Sequence, residues 1–473
     1  MVAGFGLSGA VATGEPQRPT SPARVPVTAL RIMSYYPADA SWSAMWTRYS
    51  HDRTDRDFAA IRQLGANTVR VIVPPAAVGY PTMSDEGASE LMDMVDTAAQ
   101  HGLGVQLTLF DRWLDYSDIR GSTTWLRSVL RPFRGDPRIR LVELRNEIRV
   151  DDAAAIAWAR AMLPRLGRIL PGVSRTVSVA GSTGADGLTS LVTALPRSDL
   201  DVVDVHVYRD PARVVPLLRQ AQWLAAGRPV IIGEAGMATA RVRSIATAEA
   251  QARFFRLLAR VAHDLGIPAP DPWILSDFAP SSLPRGTRVE EYHYGLRTVN
   301  GRWKQAATVV RRMFAGRTTR DIDGTFSRES TGFGTTFGSW RGFDADAARV
   351  TFPQTRHRGK VGCLSETGGD PLHSPAFFQS IPLIVTGPIE LGADVLVRSA
   401  TGRTRIALAW FDAHERYLGQ VESVDADNGD ALWQHITVSS APPPEATSLQ
   451  VHLKSSYNSG VACFDDVQLA GAF

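Results

Sequence analysis

Glu147 and Glu234 each lie just past a short hydrophobic run, RLVELRNEI (140–148) and PVIIGEAGM (229–237), of the kind that forms a buried strand. Two carboxyl groups brought to one rim by parallel strands can share acid–base work. One gives a proton to a departing oxygen, and the other, ionised, bonds to or stabilises the positive centre left behind. That division of labour suits cleavage of a glycosidic bond with retention of configuration. Neither run is specific alone, because a dipeptide such as Asn146-Glu147 arises about once by chance in a chain this long. The frame around the pair has to carry the argument.

That frame is legible from residue 29 to about 315. Short β-branched runs alternate with longer amphipathic stretches. The runs are ALRIMSYY (29–36), NTVRVIV (67–73), GVQLTLF (104–110), RLVELRN (140–146), RTVSVAG (175–181), DVVDVHV (201–207), PVIIGEA (229–235) and PWILSDF (272–278). Helical stretches fall between and after them, and several end at a glycine directly before the next run, as at Gly65, Gly102 and Gly227. Eight strand–helix units in roughly 290 residues predict an α/β fold, a (β/α)8 TIM barrel over 27–316. An open doubly wound sheet would carry a glycine-rich phosphate loop after its first strand, where this chain reads YYPADASW. After residue 316 the helical pattern gives way to short alternating runs, which predict an all-β jelly roll or β-sandwich over 317–473, joined near GRTTRDIDG.

Catalytic groups of such a barrel come from the C-terminal ends of its strands. Those ends supply Arg70, the Phe110-Asp111-Arg112-Trp113 run, Asn146 with Glu147, His206 with Tyr208, Glu234, and Trp273 with Asp277. This set resembles the clan A glycoside hydrolases, particularly the family-five-like cellulases and mannanases. The resemblance covers the whole barrel as architecture. It implies Glu147 after strand four as acid/base and Glu234 after strand seven as nucleophile, with no cofactor and no metal. It further implies that Asn146 binds a sugar 2-hydroxyl, that Arg70 holds the nucleophile ionised, that Tyr208 contacts the nucleophile, and that Trp273 is a sugar platform. The chain departs from the family at Phe110-Asp111, where a histidine is usual, and at Ile148, where proline is usual.

Several of these residues have plainer readings. Arg70 could instead neutralise Glu143, and His206 could be a satisfied structural histidine. Asp111, Trp113 and Tyr35 are candidate cleft residues, and Trp42 and Trp46 are either sugar platforms or packing. In the C-terminal region, FDDVQL (464–469) and DGTFSRE (323–329) are similar to the closing and opening segments of carbohydrate-binding jelly rolls. Trp340, Trp410, Trp433 and Tyr457 could stack on sugars there, or the domain could simply brace the barrel.

Composition excludes other classes. Net charge is +3, but only Lys304, Lys360 and Lys454 are lysines, and the many arginines are scattered, so nucleic acid is not an expected partner. No apolar run approaches the ~18 residues of a membrane span. Residues 1–26 read as the back half of an export signal followed by a Pro/Ser/Thr-rich linker, which predicts a secreted or envelope-associated protein. Cys363 and Cys463 either form one disulfide or stay as two buried thiols. The expected partner is a carbohydrate substrate, and the chain is expected to be a monomer. The rivals to a hydrolase are a glycan-binding protein on a barrel scaffold, a transglycosylase using the same carboxylates, and, more remotely, a metal-dependent hydrolase.

Overall fold

The computed structural model describes residues 25–471 except 181–183, 209–210, 241–247, 318–321, 323, 327–328, 330–338, 346–348, 357, 367–372, 385–386 and 429–431. The expected export segment, nearly all of the first linker, most of GRTTRDIDG and part of DGTFSRE lie outside the described residues.

The N-terminal region is a parallel barrel wall in two pieces. Strands β1 (Ile32–Ser34), β2 (Thr68–Val73), β3 (Gly104–Leu109), β4 (Ile139–Glu143) and β5 (Ser174–Thr176) pair in that order. Strands β6 (Ser178–Val179), β7 (Val203–Val207) and β8 (Val230–Ala235) form the other piece, so the run 175–181 is one strand interrupted at Val177. Residues of β2, β3 and β8 are buried along their whole length, as a wall covered on both faces requires. Besides the one-turn helices Ala44–Thr47 and Pro75–Val78, the helices among the described residues are His51–Gln63, Asp85–Gln100, Ile119–Leu130, Ala153–Ile169, Gly184–Ala194, Val215–Ala225, Ala248–Asp264 and Gln305–Phe314, one for each expected stretch. Ser50, Ser84, Asp118 and Asp152 cap four of them by accepting backbone N–H bonds at their first turns. Gly65 and Gly227, with φ of +93° and +92°, turn two helices back toward the next strand.

The eighth expected strand departs from the sequence reading. PWILSDF pairs only through single bridges, Ala235 with Pro272 and Ser276 with Arg297. Its outer hydrogen bonds go to a returning segment, with Leu296 and Arg297 donating to the carbonyls of Ile274 and Leu275. The seam with β1 is closed by a side chain: Asp271 accepts from Ser34 N (2.8 Å) and Ser34 Oγ (2.9 Å).

The C-terminal region has two five-stranded antiparallel sheets. One runs Val350–Thr351, Gly362–Glu366, Gly460–Gly471, Ile389–Arg398, Gln434–Ser440, and the other Tyr417–Glu422, Arg403–Phe411, Ser448–Ser456, Ala376–Pro382, Arg341–Phe343. Leu364, Leu391 and Val395 of the first share a core with Phe377, Leu408 and Val451 of the second, which makes a sandwich. Cys363 and Cys463 sit opposite each other on neighbouring strands and are bridged. The sandwich lies against the barrel's flank, where Arg253 and Arg219 donate to the carbonyls of Ser380 and Ile384 (both 2.7 Å) and Ser339 Oγ donates to Glu249 (3.2 Å). No helix among the described residues is long and apolar enough to cross a membrane.

Candidate active site

Arg70, on β2, points into the barrel and is wholly buried. Its Nη1 donates to Glu234 Oε2 (2.5 Å), while Nη2 donates to Glu143 Oε2 (2.9 Å) and to Asn146 Oδ1 (2.8 Å). Arg70 therefore contacts both candidate partners at once, one planar fork reaching the strand-four acid and the strand-seven acid. Tyr208 donates a short hydrogen bond to Glu234 Oε1. Glu234 is thus held at both oxygens, with 8% of its side chain exposed at the floor of a cleft.

Glu147 reaches the same floor by a different device. It lies four residues beyond β4 with a left-handed backbone, φ +45°, which a non-glycine residue adopts only where its surroundings impose it. Its N–H is caught by Ser178 Oγ (2.8 Å), and Ile148 N donates to the Ser178 carbonyl (3.0 Å). The side chain is 37% exposed, and its Oε1 lies 3.0 Å from His206 Nδ1. One carboxylate oxygen each of Glu147 and Glu234 and a ring nitrogen of His206 all fall within 4.8 Å of one another.

The cleft has a volume of about 730 Å³. Asp111, Asn146, Glu147, Tyr208, Glu234 and Trp273 all line it, together with Trp42, over whose ring the Arg112 guanidinium stacks at 3.9 Å. Asn146 Nδ2 reaches Asp111 Oδ1 at 3.4 Å, so the unusual strand-three residue joins the network from the opposite side. Other candidates fall elsewhere. Tyr35 is fully buried against Phe58, and Trp46 is buried with its indole N–H on the Ile72 carbonyl, so both are core. Trp113 packs on Tyr80 and Phe110 outside the cleft lining. Asp277 pairs with Lys304 (2.7 Å) and accepts from Gly295 N, which makes it a loop anchor. In the sandwich, Trp340 and Trp410 are core; Trp433 is partly buried under Arg358, and Tyr457 is exposed.

Sequence reasoning passed over Tyr36, Arg288, Glu290, Glu291 and Tyr294, which also line the cleft. All but Tyr36 come from the segment after PWILSDF, which carries no periodic pattern. It also passed over Asp204, whose place in DVVDVHV marks it as inward-facing by the same alternation that selects His206.

Burial opposes charge on His206, but Glu234 and the hydrogen bond to Glu147 outweigh it and push the imidazole up to about 9. Burial likewise opposes ionisation of Glu147, yet the hydrogen bond and charge of His206, with Arg70 beyond, hold its carboxyl below the ordinary glutamate range. At neutral pH the pair therefore holds one proton, resting on the ring. Two groups of acids with His206 come within metal-binding distance, Glu147 with Glu234 and Glu143 with Asp204. Arg70 already occupies Glu143 and Glu234, and a divalent ion would sit against its guanidinium and a charged imidazole. The donor set does not fit a metal.

No protein-family model matches the sequence, and no curated protein sequence matches it. Among solved structures the chain is similar to a GH5_18 variant from Streptomyces cattleya in complex with Manb1-4GlcNAc, at 19% identity and a TM-score of 0.52 over 62% of this chain and 82% of that one. It is similar to the exo-beta-1,4-mannosidase Op5Man5 from Opitutaceae bacterium strain TAV5, at 20% identity and a TM-score of 0.52 over 61% of this chain and 59% of that one. A GH5_18 protein from Bifidobacterium longum subsp. longum matches at 18% identity and 0.51 over 61% and 79%. Likeness at these identities establishes the barrel fold.

Proposed function

We propose that this chain is a retaining glycoside hydrolase working by double displacement, with Glu234 as nucleophile and Glu147 as acid/base. The approach of the two carboxyl groups carries the reading. Oxygens within 4.8 Å of each other match the ~5–5.5 Å spacing of retaining sites and leave no room for the water that an inverting site places across ~6.5–9.5 Å.

Glu234 attacks the anomeric carbon along a direction set by Arg70 and Tyr208. As the exocyclic C–O bond breaks, the leaving oxygen takes the one proton of the Glu147–His206 pair, which His206 Nδ1 passes to Glu147 as it is given up. Bond formation removes the Glu234 charge, and that charge is a main reason His206 keeps its proton. The Glu147–His206 pair then holds a proton less tightly, which suits Glu147 to act as base on the water that hydrolyses the glycosyl ester. Asn146, which lines the cleft beside both acids, binds the sugar 2-hydroxyl in this reading, Asp111 is a further cleft contact, and Trp273 meets sugar C–H groups.

The solved neighbours that carry mannose-containing ligands or a mannosidase name make β-mannosides the first substrates to try. The disulfide supports an exported protein. The sandwich braces the barrel: two of its four candidate platforms are core, and its inner edge is bonded to the barrel's flank. The test is activity on aryl β-glycosides and β-mannan oligosaccharides, with Glu234→Gln as control and product configuration followed by NMR. Turnover with retention, lost in Glu234→Gln, supports the reading. Glycan binding without turnover in wild type makes the chain a binding protein, and inverted product sinks the mechanism. Transfer to added sugar in preference to water would make it a transglycosylase.

A further inference from the structure

Below Glu147 three titratable side chains of the barrel interior each carry an atom with no hydrogen-bond partner among the described residues, Glu143 Oε1, Asp204 Oδ2 and His206 Nε2, as do both amide atoms of Gln106 on β3. All three residues are buried, and one oxygen of each acid and a ring nitrogen of His206 lie within 4.8 Å of one another. An unpaired buried polar atom costs about 1–3 kcal/mol. Three titratable side chains so close together beneath a reacting group form one buried, charge-coupled cluster. The seat for Asp204 is a built one. Its Oδ1 accepts from Gly233 N (3.1 Å), and a Cβ at position 233 would lie 2.2 Å from that oxygen, so only glycine leaves room. His206 stands between the two levels, with Nδ1 on Glu147 and its other nitrogen turned away from it.

We propose that Asp204 is a positioning residue whose charge acts through His206 on Glu147, within a buried line of titratable groups running Glu143, Asp204, His206, Glu147. The proposal rests on the glycosidase reading for its catalytic meaning, while the Asp204–His206 coupling stands on geometry. Charges facing the line are Arg70 from β2, Glu143 from β4, Glu234 with Tyr208 at the cleft end, and Asp271 from the seam. Burial, then the Glu143 charge, push Asp204 up to about 7, so its charge comes and goes near neutrality. As pH rises past that point Asp204 becomes an anion beside the imidazolium. That anion keeps the proton of the His206–Glu147 pair in place to higher pH.

Asp204→Asn preserves shape and the Gly233 bond while removing the charge. The experiment follows the His206 ring by ¹⁵N NMR titration in the full chain, assigned by comparison with His206→Gln, beside the pH profile of kcat/KM for wild type and Asp204→Asn. The expected result is a His206 midpoint lower by about half a pH unit or more, a threefold or greater change in proton affinity, with the basic limb of kcat/KM moving the same way. A midpoint and limb that stay in place while only thermal stability falls would overturn the proposal, as would a stoichiometric metal ion in the purified protein. Should Asp204→Asn not fold, wild type still decides. Infrared spectra must show a buried protonated carboxyl band that fades between roughly pH 6 and 8, and its absence refutes the line. Because the NMR reads the ring without substrate, an inactive wild type would count against the glycosidase reading and leave this coupling measurable.

Discussion

Arg70 touches Glu143, Glu234, Asn146, Thr108 and Ser34 without reaching the cleft surface. Its removal leaves two buried carboxylates without their counter-charge. Arg70→Met is therefore expected to lower stability by about 3–5 kcal/mol, measured by urea unfolding. Arg70→Lys should recover little, since one ammonium cannot span three acceptors. Glu147→Gln should cut kcat/KM by about 10²- to 10⁴-fold, and least for substrates whose leaving group needs no proton, read by comparing activated and unactivated aryl glycosides. A third expectation concerns pH. The folded-state value of His206 is raised from 6.5 to about 9, so its contribution to stability is fully present below about 6.5 and lost as pH rises through 9. Chemical unfolding in steps from pH 6 to 10 should show that decline in wild type, and it should be absent in His206→Gln. At this scale the sequence reading found the pair of acids and Arg70, but it could not choose between Glu234 and Glu143 as the arginine's partner. Both lie on inward-facing positions, and only the separation of β2 from β4 and β8 shows that one guanidinium reaches both.

The helices were readable in sequence because most combine a 3.6-residue apolar stripe with a capping residue or a terminal glycine, both local signals. PWILSDF was not, although its composition is strand-like. Pro272 has no N–H to donate, and the segment's carbonyls are taken by Leu296 and Arg297, so its pairing is decided by a chain segment some twenty residues later. Two elements position Glu147: β4 brings it to the rim and β6 holds its left-handed backbone through Ser178. Ser178→Ala is expected to cost about 1 kcal/mol of stability. It should lower kcat several-fold with little change in KM, because the carboxyl loses its orientation and the cleft keeps its walls. Equal kcat in variant and wild type would show that the strand end alone holds Glu147.

The molecule is two cores joined along one flank. The bridge between Cys363 and Cys463 ties the outer sheet of the sandwich across a hundred residues of chain. Replacing both by serine should cost about 2–5 kcal/mol, seen as a lower transition temperature in calorimetry, while kcat on a small aryl glycoside stays near wild type because the cleft draws on barrel residues alone. Arg253→Ala, which removes a bond between the two cores, should instead uncouple their unfolding into two transitions.

By itself the sequence determined whatever depends on neighbours within a few residues: eight helices, most of the barrel strands, the switch to alternating β texture, and two acids at strand ends. Tertiary structure decided what depends on distance between remote positions. It placed Glu147 and Glu234 oxygens within 4.8 Å, bridged two cysteines, sent Trp340 and Trp410 into a core, and gathered Glu143, Asp204 and His206 beneath Glu147. The reason is physical. Periodicity says which way a side chain faces, whereas chemistry depends on separations of a few ångströms between atoms that only barrel closure brings together.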